Sequence, residues 1–151
     1  MLKPIAENVY APHDPDDGGS EGLLAVIYKT VRTEDPLPPG AHFVTDPGLP
    51  LQVGVLVHLE GHVVAPHSHP PQPRTLTGTP EVLVVTDGRY ELTVYTSRGH
   101  HARTVRLEQG DVALLVSGGH SLVCLDDGTM LEIKLGPFTR GGDKVPLTPR
   151  S

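Results

Sequence analysis

The chain has no tryptophan and one cysteine, Cys124, and aromatic residues make up only 4% of its 151 positions. So few rings exclude the stacked aromatic platforms that hold single-stranded nucleic acid. A lone cysteine excludes an internal disulfide and fits a reducing compartment. Positive charge is also scarce: 12 Lys and Arg stand against 18 Asp and Glu, a formal net charge of −6. The basic residues form no stripe, which argues against nucleic-acid and anionic-membrane partners. Long apolar runs are missing too. The longest span about nine residues, far short of a membrane crossing. The opening "MLKPIAENVY" lacks the apolar centre of a signal peptide. These absences predict a soluble, cytoplasmic protein.

What the chain has in quantity is turn residues, 17 glycines and 16 prolines, spread at short intervals. Between them lie short apolar or alternating runs, and no segment holds a 3.6-residue apolar period over three turns. In "LQVGVLVHLE" (51–60), Leu51, Val53, Val55, Val57 and Leu59 alternate on one face, which predicts a strand. Others are predicted at 23–32, at 41–45 and within 61–69. "EVLVVTDG" (81–88) ends in Asp-Gly, a hairpin signal, with 89–97 as the expected partner. Three or four more strands are expected within 104–137. The pattern predicts an all-β protein of about eight to ten strands, a sandwich or barrel. An N-terminal arm (1–22) with an acidic, turn-rich loop would precede a β domain (23–137), and a tail (138–151) would follow.

The residues with chemistry cluster in "GHVVAPHSHPPQPRTLTGTPEVLVVTDG" (61–88). His67 and His69, at i and i+2, would present both rings on one face of a strand. Glu81 opens a separate strand, and His120 follows the tight turn Ser117-Gly118-Gly119. Three imidazoles and a carboxylate suit Fe, Mn, Ni, Cu or Zn. The bland alternative is a solvated, proline-rich loop that happens to carry histidines.

The spacing resembles the cupin family, small jelly-roll barrels. The first cupin motif is matched on both flanks: Gly61, five residues, His67-Ser68-His69, then Glu81, six residues, Gly88. Eleven residues separate His69 from Glu81, where the family pattern has fewer, and its longer spacing would fall on Arg74. Glu81 is preferred because the Glu-to-Gly spacing and the strand after it fit. The insert "PPQPRTLTGTP" would then be an enlarged loop at the barrel mouth, with a three-histidine site as the fallback. "GDVALLVSGGH" (110–120) is similar to the second motif. There Val116 stands for the proline, and His120 arrives one residue early.

The resemblance implies a jelly-roll (cupin) β-barrel with a divalent transition metal, Fe(II) first, on His67, His69, Glu81 and His120. It implies a metal-dependent enzyme on a small chelating substrate, with oxygenase (dioxygenase) chemistry foremost. A metal-free isomerase or epimerase of the nucleotide-sugar type and a non-catalytic small-molecule-binding module are the rivals. A homodimer is also expected, with the Leu23–Val31 strand as the pairing or exchange element.

Strand parity orders the remaining candidates. Leu83 and Val85 should accompany Glu81 inward, and Leu122 and Cys124 should accompany His120. On the last strand Met130, Glu132 and Lys134 share one face, and Leu131, Ile133 and Leu135 the other, the latter being the expected core face. The sharper alternative has Glu132 and Lys134 lining a polar pocket with Arg74, which would favour an anionic ligand. Tyr28, Tyr90, Tyr95 and His58 are possible proton-transfer groups. Tyr90, Arg74, Glu132 and Lys134 are the catalytic candidates. His100 and His101 read as solvated, and His13, His42 and His62 show no usable spacing.

Overall fold

A computed structural model describes residues 8–15, 22–30, 37–76, 78–139, 141–142 and 144–150. The ends of two expected segments, 31–32 of the first strand and most of the N-terminal arm, lie outside them. The described residues are all-β, with ten strands and no α-helix. The strands are β1 (Val9–Tyr10), β2 (Ala25–Tyr28), β3 (Gly40–Phe43), β4 (Gly54–Val57) and β5 (Glu81–Asp87), followed by β6 (Tyr90–Tyr95), β7 (His101–Leu107), β8 (Val112–Leu115), β9 (Gly119–Cys124) and β10 (Thr129–Lys134). No helix among them is long and apolar enough to cross a membrane.

Two sheets form the body. One has five strands in the order β1-β2-β8-β5-β10, the other three in the order β7-β6-β9. Every pairing is antiparallel. The layering is that of a jelly-roll-like sandwich, and no closed barrel forms among the described residues. The cause is legible in the strands. "EVLVVTD" alternates buried and half-buried from Glu81 onward, and "YELTVY" does the same from Tyr90. Leu83 and Val85 from β5 meet Leu92 and Val94 from β6 in one core cluster with Leu24, Ile27 and Leu107. Each such side chain stabilises the fold by about 1.5–3 kcal/mol relative to leaving it in water.

The expected hairpin between 81–88 and 89–97 does not form. β5 is flanked by β8 and β10, and β6 by β7 and β9, so the Asp87-Gly88 turn carries the chain from one sheet to the other. The turn between β9 and β10 makes the return crossing beside it. A Cβ on Gly88, at φ +75°, would sit 2.6 Å from the Asp127 carbonyl, so glycine is needed for the two corners to stack. Arg89 clasps Asp126 across them, Nη2 to Oδ1 2.9 Å. Asp-Gly permits a left-handed turn, but it does not choose the strand that follows as its partner.

Three further expectations are corrected. The 51–60 strand keeps its alternation from Leu51 to Val57, but only Gly54–Val57 is paired, with β3 alone, in a separate two-stranded sheet. Gly54 leaves room for the Phe43 ring, which would be 3.0 Å from any Cβ there. No strand forms within 61–69. The Leu23–Val31 strand is no free edge: β2 lies between β1 and β8, and a bridge from His13 to Leu23 extends its cover.

The connection before β8 is pinned by a buried carboxylate. Asp111 accepts bonds from the backbone N–H of Thr30 (2.8 Å) and Glu108 (2.7 Å) and pairs with the Lys29 ammonium. The tail returns along the molecule rather than fraying. Arg150 donates its backbone N–H to the Gly99 carbonyl at 2.8 Å, and Leu147 packs on Gly119.

Candidate functional site

Glu81 is the first residue of β5, paired on one side with Leu115 of β8 and on the other with Lys134 of β10. Parity turns its side chain to the inner face with Leu83 and Val85, and it is only 8% exposed. His120 comes from the opposite sheet, on β9 beside Val94. The turn that delivers it depends on Gly118, at φ +68°, where a Cβ would sit 2.3 Å from the Tyr95 carbonyl. The two side chains meet between the sheets, His120 Nε2 3.4 Å from Glu81 Oε2. That carboxylate oxygen is buried and accepts no hydrogen bond.

Lys134 stands on the other side of the carboxylate, Nζ 3.9 Å from Glu81 Oε1 and 3.8 Å from Glu132 Oε1. It also lies over the Phe138 ring, 5.1 Å from its centre. Here the expected core face of the last strand is reversed. Met130 packs against the core and Lys134 is half-buried, while Leu131, Ile133 and Leu135 are exposed. Among the described residues, the outer face of the sheet is left exposed at β10. Glu132, Lys134, Phe138, Thr139, Gly141 and Lys144 line an open cleft of about 510 Å³. Phe138, Thr139 and Lys144 belong to the tail, whose composition carries no site signal.

Burial pushes the His120 imidazole below its ordinary value of 6.5. The Glu81 carboxylate opposes that shift, Lys144 adds to it, and Glu132 opposes it. Although the side chain is still about 32% exposed, desolvation outweighs the neighbouring carboxylate, which favours the neutral ring.

The other candidates lie apart. His67 and His69 sit in an exposed strandless stretch, their rings 5.1 Å apart, with His67 Nδ1 2.9 Å from the Ala65 carbonyl. Arg74 is exposed in the same stretch. Leu76 and Pro80, near its end, line a small apolar cavity with Leu49, Pro50, Leu51 and Leu114. Among the described residues no group of three or more His, Cys, Asp or Glu could hold a metal ion. In this arrangement Glu81 and His120 form one half of the expected ligand set, and His67 and His69 do not join it.

Tyr90 is buried in the core opposite Cys124, four residues along β9 from His120, or about 13 Å at the usual strand rise. Cys124 is exposed and donates its thiol to the Asp126 carbonyl. Tyr95 shares a hydroxyl contact with Ser121 at 3.2 Å, and His58 stacks on His62 at 4.5 Å. His101 bonds Thr104 at 2.9 Å on the exposed face of β7. His42, which no spacing singled out, is buried, with Nε2 2.7 Å from the Pro38 carbonyl.

What the site combines is a buried carboxylate, a neutral imidazole, and two ammonium groups at the rim of a cleft. No family model, curated protein or solved structure matches the chain.

Proposed function

We propose that the chain is a small acid–base enzyme of cupin-like architecture, of the isomerase or epimerase kind, acting on a small anionic substrate. The observation that carries this reading is the Glu81–His120 pair, with Nε2 3.4 Å from a buried oxygen that has no hydrogen-bond partner. A neutral imidazole keeps a lone pair on one ring nitrogen, and that nitrogen can take up a proton. Partial burial favours the neutral ring, the state a general base needs. Lys134 and Lys144 supply cations for a substrate carboxylate and for the charge that develops as a proton leaves. His120 takes a proton from the carbon next to the substrate carbonyl. The C–H electron pair moves into the carbonyl to give an enolate; water then protonates that carbon on its opposite face, and the imidazolium returns its proton to the hydroxide so formed. Glu81 stabilises the imidazolium in between.

Deuterium exchange tests this directly. The protein is incubated in D2O with a panel of 2-keto acids and dicarboxylates, and loss of the α-proton signal is followed by NMR. Exchange above the buffer rate is expected, reduced by roughly 10²-fold or more in His120→Asn. No exchange with any member of the panel would reject the reading.

A second reading keeps the metal-dependent enzyme, with Fe(II), Mn, Ni, Cu or Zn. In its favour, the orphaned Glu81 oxygen faces an imidazole, a donor pair that such metals accept. It requires the 61–76 stretch to bring His67 and His69 to that pair. Elemental analysis of protein purified without chelator, compared with a His67→Ala/His69→Ala variant, separates the two readings. Stoichiometric metal that the variant loses supports the second; no metal after anaerobic reconstitution rejects it.

A further inference from the structure

The outer edge of the five-stranded sheet is β10, which pairs with β5 and with no other strand among the described residues. Edge strands invite further pairing, and proteins blunt them by shortness or by charges and prolines. The opposite edge, β1, has only two residues, and β7, an edge of the other sheet, carries Arg103 and Arg106. β10 has six residues, and its guards are confined to a bulge at Thr129/Met130 and to Glu132 and Lys134 on one face. Its charged residues turn inward, and its outer face shows Leu131 (53% exposed), Ile133 (57%) and, one residue beyond the strand, Leu135 (43%).

We propose that this edge pairs with the same edge of a second copy of the chain, antiparallel and centred on Ile133. The sequence of β10 is complementary to itself in that register. Ile133 meets Ile133 of the partner subunit, and Leu131 meets Leu135 of the partner subunit, so apolar residues face one another on the outer side. On the inner side Glu132 meets Lys134 of the partner subunit, twice over by symmetry. Shifting the centre by one residue places glutamate opposite glutamate, or lysine opposite lysine, at the axis, an arrangement that destabilises a sheet. A two-fold axis makes the contact closed rather than fibrous. β9, the other long edge, carries no Asp, Glu, Lys or Arg and has no register of this kind. Because Glu132 and Lys134 line the cleft, the two clefts become neighbours across the axis.

Sedimentation equilibrium of the full chain and its variants tests the register. One strand from each copy makes a small interface, so the dissociation constant is expected to be roughly 1–100 µM. Glu132→Lys and Lys134→Glu should each weaken the dimer about tenfold or more, since both repeat across the axis. The double swap Glu132→Lys/Lys134→Glu should restore it, and Ile133→Lys, at an exposed position, should give a folded monomer by circular dichroism. Wild-type protein that stays monomeric at about 200 µM would overturn the proposal. So would a dimer that Ile133→Lys leaves intact, or singly swapped variants that the double swap fails to rescue.

Discussion

His120 and Glu81 belong to opposite sheets, yet their polar atoms approach to 3.4 Å between them. The carboxylate gains no hydrogen bond on its buried oxygen and holds Lys134 only at 3.9 Å. A buried charge with so little compensation does not stabilise a fold. Glu81→Leu is therefore expected to stabilise the protein by about 1–2 kcal/mol in urea unfolding, while removing any proton-transfer activity. A loss of stability of that size would show that the carboxylate supports the structure rather than the chemistry.

The depressed His120 sets the sign of one pH effect. The folded protein holds the proton less tightly than the unfolded chain, whose imidazole titrates near 6.5. Stability is then fully present above pH 6.5 and falls as pH drops below it, because protonation favours the unfolded state. Comparing urea midpoints of metal-free protein between pH 7.5 and pH 5.5 should show a smaller drop in His120→Asn than in wild type. Equal drops would place the acid sensitivity in other groups.

Two glycines with similar backbone angles should respond differently to alanine. Gly61 (φ +79°) has nothing within 4 Å of a Cβ, so Gly61→Ala costs only the left-handed conformation, about 1–2 kcal/mol. At Gly118 the same conformational cost is joined by a contact of 2.3 Å with the Tyr95 carbonyl. Gly118→Ala should cost more than 3 kcal/mol, a large effect with a named cause, about as large as deleting a core leucine. It should also displace His120, which can be read from that ring's NMR signals.

Asp111 is the polar counterpart of those core contacts. It is buried, and it ties Lys29, Thr30 and Glu108 together. Asp111→Ala leaves two backbone donors without their acceptor and leaves the Lys29 ammonium with the Arg106 carbonyl. Thermal or urea unfolding should show a loss of about 3 kcal/mol. A loss below about 1 kcal/mol would mean that water replaces the carboxylate there.

Much of the sandwich is written in local pattern. The alternation in 81–87 and 90–95 identifies both the strands and their inward residues, and Glu81 with Leu83 and Val85 turns out as parity requires. Two things were not local. Asp87-Gly88 looks like a hairpin because a turn signal describes four residues, whereas the partner of a strand is decided by what lies tens of residues away. The last strand misled for a related reason. Leu131, Ile133 and Leu135 read as a core face by hydrophobicity alone, but nothing in six residues says which face of the strand the second sheet will cover. The meeting of Glu81 and His120 was proposed from motif order. The cleft beside them uses Phe138, Thr139 and Lys144, tail residues with no periodicity to reveal them.

The exposed strandless stretch before β5 divides the chain into two unequal partners. Of the described residues before it, β1 and β2 join the main sheet, held through the ladder from Ala25–Tyr28 to Val112–Leu115. A single protease cut near Arg74 should therefore leave two pieces that remain together without a covalent link, since four cross-strand pairs and the buried faces of Ala25 and Ile27 still join them. The two halves are natural candidates for a split reporter: separately expressed, the first would restore to the second the strand that covers β8.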